Sequence, residues 1–282
     1  MPMQTFINKF LENAFAKFKH YQSRNSRLCK LKDLDFQAGH SPCYSDEWVQ
    51  SLYLMRYFYA YFTEYYCLYQ DTLSWIEAEP KILSIGCGCG VDGAALYFAS
   101  LSKKFQYIGY DCVNWELNVK NFLPSPTSAI DIRSNDITTT CFPPSNVLMF
   151  PKSLSDIDEI VFAKFVNNLS ADFFEKKIII LSSIMAEGIG YDVERMRVIV
   201  SKMESLGYKL TKGNIEPIVF QNPQACCTYI NSTFPEEIKD FIGNLKDQCE
   251  ANNDDCLECN ISRHPKLTTR SARFQRLVLE RE

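Results

Sequence analysis

A glycine-rich turn between two apolar runs is the stretch of this sequence best suited to chemistry. Gly86, Gly88 and Gly90 directly follow the apolar run at 81–85, and a helical pattern comes next. Because glycine has no Cβ atom, the backbone of such a turn can approach a ligand closely, and the helix after it offers unpaired N–H groups. Asp111 ends the next apolar run, 25 positions after Gly86, where a carboxylate can accept both hydroxyls of a ribose. The pattern therefore predicts a site for a ribose-containing cofactor.

The glycines fit two cofactor-binding patterns. Gly86-x-Gly88-x-Gly90 matches the pattern for S-adenosylmethionine, and Gly88-x-Gly90-x-x-Gly93 matches the dinucleotide fingerprint. The first is favoured because the apolar run abuts Gly86, which makes Gly86 the first glycine of the tight turn. An NAD(P)-dependent oxidoreductase stays the alternative enzyme class.

Alternating strands and helices after residue 80 must position this turn. Short β-rich runs lie at 81–85, 105–110, 128–132, 147–150 and 177–181, followed by a helix over 193–203 and two strands near 208–219 and 272–279. Near-continuous apolar strands separated by helices are typical of a parallel sheet covered on both faces. We therefore predict an α/β domain over 80–282 with a doubly wound, seven-stranded, mainly parallel sheet and an antiparallel edge hairpin. An insert is expected at about 220–268.

The first 79 residues predict a helical region that precedes this domain. Apolar residues from Phe6 to Phe18 recur at helical spacing, and Ser45-Asp46-Glu47 resembles a helix start before a second helix from Trp48 to about Gln70. That second helix carries seven of the 15 tyrosines: Tyr53, Tyr57, Tyr59, Tyr61, Tyr65, Tyr66 and Tyr69. Either the helix is buried on several sides, or some of these rings line a substrate pocket beside the sheet. We expect region 1–79 to contribute a lid or an acceptor pocket.

Strand, glycine turn, helix, strand and acid together resemble the class I S-adenosylmethionine-dependent methyltransferases, from about residue 80 to residue 282. The resemblance implies a Rossmann-like fold and S-adenosylmethionine as the cofactor. In that family the glycine turn flanks the methionine part of the cofactor, and the acid after the second strand binds the ribose. Residues after the third strand hold the adenine, and residues after the fourth face the methyl group. Carried onto this chain, the cofactor-binding residues are Gly86, Gly88, Gly90, Asp111, Asp136, Ile137 and Phe150, with Ser84 where many members carry an acid that orients the amino group.

The segment after the fourth strand departs from one branch of that family. Phe150-Pro151-Lys152-Ser153 is not the Asn/Asp-Pro-Pro-aromatic motif of enzymes that methylate exocyclic amines of bases or glutamine, so those acceptors are disfavoured. Lys152 and Ser153 are the catalytic candidates, and Lys152 either steers an anionic acceptor or is simply solvated. Methyl transfer depends mainly on alignment and desolvation, so a general base is needed only where the acceptor must lose a proton.

Cysteines form two groups with different expected roles. Cys87 and Cys89, in the glycine turn, are interpreted as small fillers, with redox sensing as the alternative. In the insert, the candidate zinc ligands are Cys249, Cys256, Cys259 and His264. A structural zinc site needs four ligands, and one C-x-x-C pair also fits reduced thiols in a loop. The basic segment from 263 to 276 either contacts phosphates or protects an edge strand from aggregation.

Composition and charge limit the classes of partner that this chain is expected to bind. The chain has 282 residues, with 30 Lys+Arg against 34 Asp+Glu and a net charge of −4, which argues against a protein that coats nucleic acid by its overall field. No apolar run is long enough to span a membrane. Twelve cysteines without an export signal indicate reduced thiols and a cytoplasmic protein, with a mitochondrial alternative from the basic, amphipathic first twenty residues.

The predicted function is methyl transfer from S-adenosylmethionine to an unidentified acceptor. A small molecule or protein side chain is preferred, RNA is an alternative acceptor, and a non-catalytic scaffold that binds the cofactor is an alternative function.

Overall fold

A seven-stranded sheet forms the centre of the computed structural model. The structure describes residues 1–25, 43–76, 79–100, 104–124, 129–185, 188–223, 233–244 and 271–282. The strands are β1 (Lys81–Ile85), β2 (Gln106–Asp111), β3 (Ile130–Ser134), β4 (Ser145–Pro151), β5 (Phe174–Ile184), β6 (Tyr208–Gln221) and β7 (Ser271–Arg281). The helices are α1 (Met3–Asn25), α2 (Glu47–Thr72), α3 (Val91–Ser100), α4 (Glu159–Asn168), α5 (Ile189–Ser205) and α6 (Glu236–Gly243).

The order of the strands identifies the type of sheet. The order is β3-β2-β1-β4-β5-β7-β6, with β1 to β5 parallel and β7 antiparallel to both β5 and β6. Doubly wound dinucleotide-binding sheets have the parallel order 3-2-1-4-5-6 and no reversed strand between the last two. The predicted Rossmann-like methyltransferase fold, with its antiparallel edge pair, is therefore confirmed.

Several strand bounds differ from the sequence prediction. Strand β5 extends to Ile184 because Ser182 and Ser183, which interrupt the apolar pattern, are themselves fully buried within the sheet. Strand β3 lies two residues later than predicted, and position 128 lies outside the described residues. Strand β6 continues to Gln221, one residue past the predicted start of the insert, and α6 forms inside the insert.

The two faces of the sheet carry separate hydrophobic clusters. Neighbouring strand residues point to opposite faces, so Ile82 joins a cluster with α1, α2 and α3, whereas Leu83 joins one with α4 and α5. The helical N-terminal region thus shares a core with the sheet, and the Phe10 and Phe58 rings stack at 4.6 Å between α1 and α2. None of the described helices is long and apolar enough to cross a membrane.

Helix α2 begins where the sequence predicts. Asp46 is its N-cap residue, and its Oδ1 accepts a hydrogen bond from the backbone N–H of Trp48 at 2.9 Å. This bond satisfies one of the amide groups that lack a partner in the first turn of a helix. The cap fixes the start of the helix that covers the carboxyl ends of the strands.

Candidate functional site

A cavity of about 590 Å³ lies at the carboxyl ends of β1 to β4. In open α/β sheets, ligands bind in the crevice outside these strand ends. Four loops after strands β1 to β4 form one side of the cavity, and α2 forms the other together with Tyr44, three positions before that helix. The principal lining segments are 85–89, 110–113, 134–137, 151–153 and 156–158, together with Tyr44, Tyr53, Leu54, Tyr61, Tyr65 and Trp115.

The turn after β1 requires glycine at the predicted positions. Gly86, Gly88 and Gly90 have φ values of 72°, 57° and 88°, in the left-handed region that favours glycine. A Cβ atom at Gly86 would lie 2.4 Å from the Cβ of Ser153. Gly93, in contrast, lies inside α3 against the ring of Tyr107. The turn therefore follows the Gly86-x-Gly88-x-Gly90 register.

Asp111 connects this turn to the segment after β2. Its Oδ2 accepts the N–H of Gly88 and its Oδ1 accepts the N–H of Val113, both at 2.8 Å. Burial raises the pKa of Asp111, and these two hydrogen bonds oppose that effect. Each carboxylate oxygen has a further lone pair, so Asp111 can also accept hydroxyl groups from a ligand in the cavity. The indole of Trp115 lies close to Gly88 on the same wall, 3.5 Å from the position a Cβ would take.

The loop after β3 brings two more predicted residues to the cavity. Asp136 and Ile137 both line it, and the side chain of Ile137 is buried. The Oδ1 of Asp136 accepts the N–H of Thr138 at 2.8 Å, which lowers the pKa of Asp136. The structure thus brings the glycine turn, Asp111, Asp136 and Ile137 to one cavity.

Three predicted cofactor-binding residues do not line the cavity. One is Gly90, where a Cβ atom would lie 2.3 Å from the Cδ1 of Ile132. Ser84 is fully buried, and its Oγ donates to Oδ2 of Asp92 at 2.8 Å. Phe150 is also fully buried and packs against Phe165 of α4, with 6.1 Å between the ring centres. Both lie within strands whose neighbours shield them, so the residues exposed to the cavity after β4 are Pro151 to Ser153.

Asp92 is a buried residue that the sequence analysis missed. It lies in the first turn of α3 and accepts hydrogen bonds from Ser84 and from the hydroxyl of Tyr107, each at 2.8 Å. Burial raises the pKa of Asp92 to about 6, although both hydrogen bonds lower it. The available signal was an acid directly after the glycine turn, which also fits an ordinary helix start. Asp92 ties α3 to β1 and β2 and so positions the turn.

Lys152 is neither solvated nor free to act as an isolated cation. Its Nζ lies 2.8 Å from Oε2 of Glu64 on α2 and 3.3 Å from the carbonyl oxygen of Ile184, and 11% of its side chain is exposed. The backbone of Lys152 is strained, with a φ of 55°. The solvated interpretation is therefore wrong, and the charge that was predicted to steer an anionic acceptor is already balanced by Glu64. Ser153 is also engaged, since its Oγ donates to the carbonyl oxygen of Ile85 at 2.5 Å.

Aromatic rings of α2 form the wall opposite the strands. Tyr53 lies 5.9 Å from Tyr61 and 5.8 Å from Trp115, measured between ring centres. Burial raises the pKa values of Tyr53, Tyr61 and Tyr65, so these phenols stay neutral. Other rings of α2, such as that of Tyr69, are fully buried in the core. One face of the tyrosine-rich helix is therefore buried in the core and another lines the cavity, and the role of that cavity as a substrate pocket stays a prediction.

The two cysteines of the glycine turn contribute packing rather than reactive groups. Cys87 and Cys89 are buried, and burial raises the pKa of both thiols, which disfavours the reactive thiolate. Within the described ranges, no group of three or more His, Cys, Asp or Glu side chains could hold a metal ion. The zinc candidates Cys249, Cys256, Cys259 and His264 lie outside those ranges.

Comparisons with known proteins give no close relative. No protein-family model matches the chain, and neither does any curated protein sequence. The plantazolicin methyltransferase BpumL in complex with SAH is 11% identical, with 96% of this chain and 100% of that chain covered and a TM-score of 0.43. The putative RNA methyltransferase PH1948 from Pyrococcus horikoshii is 10% identical, with coverages of 92% and 96% and a TM-score of 0.40. Magnesium protoporphyrin IX methyltransferase (ChlM) from Synechocystis PCC 6803, with bound SAM, is 8% identical, with coverages of 95% and 97% and a TM-score of 0.39.

Proposed function

We propose that this chain, which has the class I methyltransferase fold, binds S-adenosylmethionine in the cavity and catalyses transfer of its methyl group to a small-molecule acceptor. The observation that carries the proposal is the meeting of three elements at one cavity: the glycine turn, Asp111, and the Asp136–Ile137 pair. These elements supply close backbone approach, a carboxylate for a ribose, and an apolar side chain beside a polar one for an adenine. They follow three neighbouring parallel strands, in the order β1, β2 and β3.

Each contact has a physical role. The backbone of 86–89 faces the methionine part of the cofactor, Asp111 accepts the ribose hydroxyls, and Ile137 packs on the adenine. When bound, the cofactor supplies a methyl group on a positively charged sulfur. The chain positions the acceptor against that methyl group and excludes water, which is where much of the acceleration of such a displacement originates.

The charges around the cavity favour this cofactor over a dinucleotide. Among the described residues that line the cavity, the acids are Asp111, Asp136, Asp156 and Asp158, and Lys152 is the single cation. A dinucleotide places its diphosphate at the N-terminus of the helix after the glycine turn. Here that helix has the buried Asp92 in its first turn, and the one cation is paired with Glu64. A sulfonium cofactor suits this negative lining, whereas a diphosphate does not.

Isothermal titration with S-adenosylhomocysteine, S-adenosylmethionine and NADH tests the proposal. We expect the two adenosyl compounds to bind and NADH not to bind. Asp111→Ala is expected to weaken adenosyl binding about 10- to 100-fold, because hydrogen bonds to a charged acceptor are lost. Asp172→Ala, an exposed carboxylate away from the cavity, is the matched control and is expected to bind like the wild type.

A second variant separates ligand contact from folding. Asp111 also holds the turn, so its loss can act through the backbone. Ile137→Ala removes only apolar contact and is expected to weaken binding without altering the circular dichroism spectrum. Binding of NADH alone would show that the chain is an oxidoreductase. Binding of none of the three compounds would overturn the proposal, and cofactor binding without methyl transfer to any acceptor would favour the scaffold.

A further inference from the structure

An acidic corner lies at the end of the cavity beyond the loop after β4. Asp156 belongs to that loop and lines the cavity. Asp192, in the first turn of α5, lies behind it and is 1% exposed. Gly188 keeps the corner open, because a Cβ atom there would lie 2.6 Å from the Oγ of Ser155 and 3.5 Å from Oδ2 of Asp192. The corner therefore places two carboxylates and a hydroxyl next to the position where the fourth strand ends.

The buried polar atoms of this corner lack partners. In the part of the chain that the structure describes, neither oxygen of the Asp192 carboxylate has a hydrogen-bond partner at normal geometry, although the backbone N–H of Ser155 lies near enough to lower its pKa, and the Oγ of Ser155 has no partner. A buried carboxylate without a partner is costly. Two cations come near and partly offset the charge of the corner, but Arg195 donates to the carbonyl oxygen of Leu154 and Lys152 is paired with Glu64. The corner thus presents acceptor atoms that call for a proton or a bound cation.

The aromatic wall is also suited to a cation. The Nζ of Lys152 already lies 5.3 Å from the centre of the Tyr61 ring, within the range of a cation–π contact. Tyr53 and Tyr65 continue the same wall with neutral phenols. An ammonium group attached to an apolar or aromatic body would therefore find rings for its body and carboxylates for its charge. An anionic acceptor would meet the carboxylates and no unpaired cation among the described lining residues.

We propose that the acceptor is a small apolar or aromatic amine, whose body packs on Tyr53, Tyr61 and Tyr65 and whose ammonium group pairs with Asp156, the carboxylate of the corner that lines the cavity, in front of the buried Asp192. This inference rests on the proposed function. The cavity must also hold the cofactor, so the remaining space suits a small molecule.

The reaction balances with groups present in the site. The ammonium group of the acceptor gives one proton to a carboxylate of the corner and becomes a neutral amine. Its nitrogen lone pair forms the new N–C bond, while the S–C bond breaks and its electron pair stays on the sulfur. The products are a methylated ammonium ion and the neutral thioether S-adenosylhomocysteine, and the proton stays on the corner until it exchanges with solvent.

Three probes with similar bodies test this inference: 2-phenylethylamine, 2-phenylethanol and 3-phenylpropanoate. Each is titrated calorimetrically into protein saturated with S-adenosylhomocysteine. We expect the amine to bind at least about tenfold more tightly than the alcohol and the carboxylate. Asp156→Asn and Asp192→Asn are expected to reduce that preference, because each keeps the side-chain shape and removes the charge. Asp172→Asn is the control and is expected to keep it.

The order of measurements separates the two proposals. Each protein is first titrated with S-adenosylhomocysteine, and absence of binding to the wild type would overturn the proposed function. Normal cofactor binding with equal or tighter binding of the alcohol or the carboxylate would overturn the amine inference alone. The amine inference alone would also be overturned if none of the probes binds, or if Asp156→Asn and Asp192→Asn both keep the preference for the amine.

Discussion

Replacing Asp192 with asparagine is expected to raise the stability of the folded protein at pH 8 much more than at pH 5. Asp192 is 1% exposed, and within the described residues its carboxylate has no hydrogen-bond partner at normal geometry. Burial first, and repulsion from Asp156 second, raise the pKa of Asp192 to about 7 from an ordinary value of 3.8, against the weaker opposing effects of the Ser155 backbone N–H, Lys152 and Arg195. The charged form of this side chain is therefore disfavoured in the folded protein.

The sign of the effect follows from proton binding. Between the unfolded and folded pKa values, the folded chain holds a proton that the unfolded chain has lost, so the free energy of unfolding falls as pH rises. One titrating group changes that free energy by about 1.4 kcal/mol per pH unit. From pH 5 to pH 8, ionisation of Asp192 therefore lowers the free energy of unfolding of the wild type by on the order of 3 kcal/mol, as the pH of the solution rises to and through the folded pKa. Asparagine does not ionise, so the variant lacks this loss.

Urea unfolding followed by tryptophan fluorescence at the two pH values measures the effect. The quantity of interest is the difference between variant and wild type, because every other titrating group is shared. Asp172→Asn, at an exposed position, is expected to show no difference that depends on pH. An equal difference at pH 5 and pH 8, or a variant that is less stable at pH 8, would refute the reasoning. The carboxylate would then be ionised and partnered in the folded protein, and the acidic corner would need no cation.

Two further substitutions test the residues that hold the cavity together. Gly86→Ala places a Cβ atom 2.4 Å from the Cβ of Ser153 at a φ of 72°, so we expect a destabilisation of about 2–4 kcal/mol and loss of S-adenosylhomocysteine binding, measured by urea unfolding and calorimetry. Gly190→Ala, which meets nothing within 4 Å, is its control and should leave both unchanged or slightly raise stability. Lys152→Met leaves the buried carboxylate of Glu64 without its ammonium partner and is expected to cost about 3–5 kcal/mol in urea unfolding. Adding Glu64→Gln should restore most of that loss, and a failure to do so would show that the pair is not what stabilises this contact.

Contacts made within one strand–turn–helix unit could be predicted from the sequence. The glycine spacing, the acid after β2 and the residues after β3 depend on short segments, each of which follows a parallel strand. Because the carboxyl ends of adjacent parallel strands meet at one edge, the sequence alone places Gly86, Asp111 and Ile137 together. The fold was predictable for the same reason, since each strand and helix shows its own local pattern.

Side-chain contacts between segments that are distant in the sequence could not be predicted from it. Nothing near Lys152 in the sequence points to Glu64, which lies on a helix before the sheet begins. Ser84 was assigned to the cofactor by its position in a motif, but its hydroxyl donates a hydrogen bond to Asp92. In the sequence, the position of Asp92 indicates only an ordinary helix start. Such pairings depend on three-dimensional packing, so a motif predicts the place of a residue more reliably than the direction of its side chain.

The same distinction, between local and distant contacts, divides the cavity of the proposed function into a cofactor half and an acceptor half. The cofactor half follows three consecutive strands, and its residues are set by local geometry. The proposed acceptor half combines α2 and the loop after β4, with the start of α5 behind that loop, three segments far apart in the chain. In the amine proposal, their relative charges rather than any motif select the acceptor: Glu64 neutralises Lys152, Asp156 lines the cavity, and the buried Asp192 behind it has a raised pKa. The class of acceptor therefore follows from how these segments pack, which is why charged, neutral and anionic probes of similar bodies discriminate it better than a search for a further motif.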